Sequence, residues 1–108
     1  MRTELTEMAS VQARWLALRQ EAVATNVANA SLPGFKAHAA PAFADVLDVA
    51  RGELGGERAA NAALTLMPSR NTVDLASELV EGSAVTRAHA LNAGIAGAFH
   101  RMAMMVSQ

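Results

Sequence analysis

The chain has 108 residues with 9 Lys plus Arg against 10 Asp plus Glu, a formal net charge of −1, and no cysteine. That length holds one small domain. The charge balance leaves no basic stripe for nucleic acid, and the cysteine count excludes disulfides, thiolate metal sites and Cys nucleophiles. Of the 52% apolar residues, 25 residues of the chain are alanine, so few large side chains remain to build a thick core.

Taken in chain order, the first fifteen residues carry Glu4, Glu7 and Arg14 where a cleavable signal needs an unbroken apolar run. Met8, Val11, Trp15, Leu18, Ala22 and Thr25 then recur at spacings of 3 and 4, a heptad seam, and no Gly or Pro interrupts it. The pattern predicts one helix over 3–29, roughly 40 Å long. Asn29 and Ser31 close it, and Pro33-Gly34 follows with the residue pair of a type II turn. Asn26 and Asn29 are expected to bond backbone groups freed at the helix end.

The stretch 30–70 is weak: Phe43, Val46, Leu47 and Val49 suggest a helical turn or two started by Pro41, and three glycines and Pro68 follow. It is expected to be a mobile or loosely helical middle, with Gly55-Gly56 as a hinge. A second strong helix is predicted over 71–106, with Asn71 as its N-cap and Asp74 and Glu78 near the positive end of its dipole. Its seam runs Val85, Ala88, Asn92, Ile95, Phe99, Met102, with Leu75 and Leu79 slightly offset. The longest apolar run in this half, between Arg87 and Arg101, has 13 residues and includes His89, Asn92 and His100, too short for a membrane span.

The fold class expected is all-α: long N- and C-terminal helices pairing as an antiparallel coiled-coil-like hairpin around a mobile middle, a single unit over 1–108. Met8, Val11, Trp15 and Leu18 are expected to pack on Leu79, Val85, Ile95 and Phe99, in the same chain or a neighbour. Two long helices with no third layer leave a face of each uncovered, so partners complete the fold.

Catalytic and cofactor patterns are absent from the sequence. His89 and His100 are about 16 Å apart on a helix and cannot share a metal. His38 has no Ser or Thr arranged as a nucleophile beside it, and Gly55-Gly56 lacks the spacing of a phosphate loop. No catalytic, cofactor-binding or metal-binding residue is assigned, and the chain reads as a non-enzyme.

The segment Asn26-Val27-Ala28-Asn29-Ala30-Ser31-Leu32-Pro33-Gly34-Phe35-Lys36 resembles the signature shared by bacterial flagellar rod and hook proteins, with Leu32 where Thr is usual. Asn26, Ala28, Asn29, Pro33, Gly34, Phe35 and Lys36 carry it. Val73-Asp74-Leu75 with Glu78 and Leu79, and the Phe99 ending, resemble the C-terminal helix of the proximal rod subunits. For that family the chain is short, with the deficit placed in its middle.

The resemblance implies a structural subunit of the proximal rod of the flagellar basal body. It would assemble helically in the periplasm with itself, other rod subunits and the membrane-ring junction protein FliE, and would transmit motor torque. It implies export through the flagellar type III gate without a cleaved signal. Phe43 and Leu47 resemble the short export signal of such subunits, although an i,i+4 core pair is the stronger reading of their spacing. The alternatives are the neighbouring rod subunit FlgC, which shares the N-terminal signature, and a cytoplasmic helical-hairpin adaptor that dimerises and needs only the heptads.

Overall fold

The computed structural model describes residues 4–52 and 55–107. It is mostly helical. Two long helices, α1 (Glu4–Ala28) and α4 (Leu75–Val106), flank in sequence a middle built of β1 (Lys36–Ala39), α2 (Phe43–Arg51), α3 (Glu57–Ala63) and β2 (Met67–Thr72). The radius of gyration is 16.3 Å, against about 13 Å for a compact domain of this length. The extents of 59 × 30 × 15 Å describe a thin rod-like body. Among the described residues no helix is long and apolar enough to cross a membrane.

The long helices lie against each other. Asn92 Nδ2 donates to the Ala9 carbonyl at 3.3 Å, Arg19 is ion-paired with Glu81, and Asn26 Nδ2 reaches Glu78 Oε1 at 3.0 Å. Partners on α1 thus rise in number from 9 to 26 while those on α4 fall from 92 to 78. The interface combines small residues with the buried Leu16, Val23 and Val85. Ala9 and Ala13 face Asn92, Ala93 and Ala96 across a narrow cleft, and a Cβ added to Gly82 would stand 3.3 Å from Val23 Cγ1.

That composition shifts the expected seam. Val85, a seam residue, is fully buried and Phe99 and Val73 are half-buried, but Leu75, Leu79 and Ile95 are exposed, so Leu79 and Ile95 are not buried in the helix pair as predicted. On α1, Leu16 and Val23 are buried on the same helical stripe as Ala9 and Ala13. Val11 and Trp15 turn instead to the middle segment, forming a core with Val46, Ala60, Phe43, Ala50 and Leu64. Met8 lines a cleft with Leu47 and Ala50, and Leu18 is half-buried. The cause is geometric: α1 has two packed faces, one with Val11 and Trp15 toward α2 and α3, the other mixing alanines with Leu16 and Val23 toward α4.

The all-α expectation is therefore corrected by a two-stranded antiparallel sheet of β1 and β2. Lys36 stands opposite Thr72, His38 opposite Pro68 and Ala39 opposite Met67, with an irregularity between Lys36 and His38. The expected mobile middle instead carries α2 and α3, held because Val46 and Ala60 supply fully buried side chains beneath α1. Gly55 is not a free hinge either. Its N–H donates to Gly52 O at 2.9 Å, and a Cβ there would come within 2.3 Å of Val49 O. The predicted first residue of the N-terminal helix, Thr3, lies outside the described residues. Strand β2 also takes up Asn71, so α4 starts later than expected, and its N-cap is Asp74, whose carboxylate accepts from Ala76 N–H at 3.2 Å and from Ser77 Oγ at 2.9 Å.

Trp15 joins these layers. Its Nε1 donates to the Pro41 carbonyl at 2.7 Å, its ring lies 5.0 Å from Phe43, and the Arg19 guanidinium sits 4.8 Å above it. Trp15→Ala removes a large half-buried ring and strands the Pro41 carbonyl, so it is expected to destabilise the fold by about 3 kcal/mol. Urea denaturation followed by circular dichroism measures this; a loss well below 1 kcal/mol would mean that the middle segment is not held through Trp15.

Candidate functional site

The signature residues Asn26 to Lys36 build a corner between the end of α1 and the first strand. Helix α1 is closed by successive tight bonds: Asn29 N–H to Thr25 O at 3.1 Å, Ala30 N–H to Val27 O at 3.3 Å and Leu32 N–H to Asn29 O at 3.0 Å. The Asn29 side chain adds a second donor to the Thr25 carbonyl, at 2.9 Å. This is the local satisfaction of freed helix-end groups expected of Asn29.

The chain then reverses. Phe35 N–H donates to Leu32 O at 3.1 Å across Pro33-Gly34, and Gly34 has φ +78°, the positive value that the third residue of a type II turn requires. No atom lies within 4 Å of a Cβ built there, so the constraint at Gly34 is backbone conformation and not space. Phe35 leaves the turn with its ring 5.3 Å from that of His38. Ala28, Pro33 and Lys36 are exposed on the outside of the corner.

Asn26 does something else. It is 1% exposed, and its amide is bonded on every side that matters. Oδ1 accepts from His38 N–H at 2.7 Å, and Nδ2 donates to His38 O at 3.0 Å and to Glu78 Oε1 at 3.0 Å. The amide therefore pairs with the strand backbone as a neighbouring strand would. His38 faces Pro68 across the sheet, a residue with no N–H to give, and Asn26 takes both backbone groups of His38. Glu78, in the first turn of α4, extends the connection, so one buried side chain ties α1, β1 and α4 together.

Of the sequence-assigned residues, the structure brings Asn26, Phe35 and Glu78 to this junction through His38, with Asp74 capping the helix that carries Glu78. Phe43 and Leu47 lie apart from it: Phe43 packs on Trp15, and Leu47 lines the cleft between α1 and α2. His38, Arg19 and Glu81 were not assigned by sequence reasoning. Arg19 and Glu81 are 62 positions apart and His38 uses its backbone, so no local pattern could have marked them. The junction is a set of fixed bonds at the corner of a helix pair.

Asn26→Ala leaves the buried His38 N–H without its acceptor and is expected to cost about 2 kcal/mol, while Asn26→Asp, which sets a second carboxylate against Glu78, is expected to cost more. Denaturation of both variants at neutral pH checks the order; equal stability to the parent would show that the amide is not the tie. Gly34→Val forces a β-branched residue into positive φ and is expected to lose about 1 to 3 kcal/mol. A Val variant with unchanged stability and normal assembly would remove the turn from the account.

No family model matches the chain, and no solved structure matches it. A curated protein does: the flagellar basal body rod protein FlgB of Agrobacterium fabrum is 34% identical over 122 aligned residues, covering 94% of this chain and 91% of that one. The 122 aligned positions exceed the 108 residues present here, so the relative carries residues that this shorter chain lacks. The chain belongs to the family of flagellar basal body rod proteins FlgB.

Proposed function

We propose that this chain works as a structural subunit of the proximal rod of the bacterial flagellar basal body. Membership of the rod protein family along nearly the whole chain carries the reading. The thin body and the apolar residues left on the surface of α4 fit a subunit whose neighbours finish its burial. In this reading residues 1–108 form one rod-protein unit, and α1 and α4 act as an antiparallel coiled-coil-like hairpin. The signature corner of Asn26, Ala28, Asn29, Pro33, Gly34, Phe35 and Lys36 sets the angle at which the middle segment leaves that hairpin.

Torque passed along a rod loads its subunits, and a corner fixed by backbone-directed bonds resists that load better than one held by apolar contact alone. Leu75, Leu79 and Ile95, exposed in the single chain, face neighbouring subunits in the rod; those neighbours are further copies, other rod proteins and the ring-junction protein FliE. Phe43 and Leu47 would be read by the type III export gate on the unfolded chain, before Phe43 packs on Trp15.

Deleting the gene and restoring it on a plasmid, with isolated basal bodies viewed by electron microscopy, tests the reading. Loss of the rod beyond the membrane ring, restored by this copy, is expected. Intact rods in the deletion strain would overturn the assignment of an essential axial subunit.

A further inference from the structure

The two ends of α4 differ in chemistry. Asp74, Glu78 and Glu81 stand at its start with no base among them, whereas from Gly82 to Ser107 there is no acid and the bases are Arg87 and Arg101, with His89 and His100. Since Asn92 meets Ala9 and the helices advance at about 1.5 Å per residue, the last turns of α4 run past the described start of α1. Those turns carry Met102, Met104, Met105 and Val106, at 58%, 53%, 73% and 86% exposure, with Arg101 beside them.

At the opposite end of the helix pair lies a groove of ≈ 650 Å³. Trp15, Ala22, Val23, Ala40 and Phe43 give it apolar walls, and Glu78 and Glu81 lie along it with Arg19 as the only cation among its lining residues. Glu81 is paired with Arg19 and Glu78 accepts from the neutral Asn26 amide, so with His38 neutral the groove keeps one carboxylate in excess of its guanidinium. Within one chain the basic, methionine-rich end cannot reach this acidic groove, because the 32-residue length of α4 separates them.

We propose that the Met102–Val106 end of one copy seats in the Trp15–Ala40–Glu81 groove of the next, head to tail, with Arg101 facing Glu78 and Glu81. The proposal rests on the subunit reading above and names the surfaces by which copies join. Unbranched methionines adapt to a groove of uneven walls, and the opposite charges fix the direction of docking. The contact is heterologous, so it repeats along an axis without needing to close.

The absence of cysteine makes disulfide trapping specific. Met105→Cys and Ala40→Cys chains, purified separately, are mixed and oxidised. Leu91→Cys, on an exposed site elsewhere on α4, replaces Met105→Cys in the control. Each variant is first checked for parental helical signal, and Ala42→Cys, on the same groove, replaces Ala40→Cys if that variant misfolds. Several-fold more mixed dimer from Met105→Cys than from the control is expected. Adding Arg101→Glu should lower that yield several-fold, and Arg101→Lys should leave it unchanged. Equal trapping with the control, or indifference to Arg101→Glu, overturns the contact. If the parent chain restores rods in the deletion strain, such a result removes the contact and leaves the subunit reading standing; if it restores none, the subunit reading fails, and the contact that rests on it fails too.

Discussion

The structure depends on the buried amide of Asn26. A primary amide offers two N–H donors and a carbonyl acceptor, and here both kinds are used: the acceptor and one donor on the backbone of His38, and a donor on Glu78. No apolar residue could join those three partners, and in a low-dielectric site each bond left unmade would cost more than each bond made contributes. The amide therefore specifies geometry. It fixes where the first strand leaves the helix, and through Glu78 it fixes the axial position at which α4 begins to run along α1.

That axial position decides how closely the long helices approach. Ala9, Ala13, Gly82, Ala93 and Ala96 let the helices approach closely, Leu16, Val23 and Val85 supply the buried larger side chains, and Arg19 and Glu81 join the helices at the edge. Close packing of small residues buries less apolar area than interdigitated leucines would. The larger residues are then divided: Val11 and Trp15 hold the middle segment, and Leu79, Ile95 and the terminal methionines of α4 remain outside. A subunit built in this way stands with its own core modest and its outer faces suited to neighbours, the arrangement a filament requires and an isolated domain would avoid.

What could be read from the sequence follows the range of the interactions concerned. Asn29 and Gly34 were legible because their partners lie within four residues: the Thr25 carbonyl and the Leu32–Phe35 turn. The two long helices were legible because unbroken helix formers extend over many turns. Asn26 was singled out with the wrong partners, since its own lie 12 and 52 positions away. The strands left no trace: Lys-Ala-His-Ala and Met-Pro-Ser-Arg-Asn-Thr have neither alternation nor β-branched enrichment, and they pair because the corner brings them together. The helix seam is legible at Val85 and Asn92, which are buried, and not at Leu79 and Ile95, which are exposed. Gly55 was read as freedom and is instead a place where only hydrogen fits against Val49 O.

The same division between local and distant contacts decides what makes the corner stiff. Helix-end bonds and the Pro33-Gly34 turn form from neighbouring residues and cost little loop entropy. The ties that make the corner rigid, Asn26 to Glu78 and Arg19 to Glu81, join segments more than fifty positions apart and exist only after the ends of the chain meet. A chain whose ends have not met therefore keeps its local turn preferences but none of these cross-links. The corner is cross-linked only where α4 lies along α1, and the same helix carries the exposed Leu75, Leu79 and Ile95. One helix therefore supplies both the bonds that fix the corner and the apolar side chains suited to a neighbour.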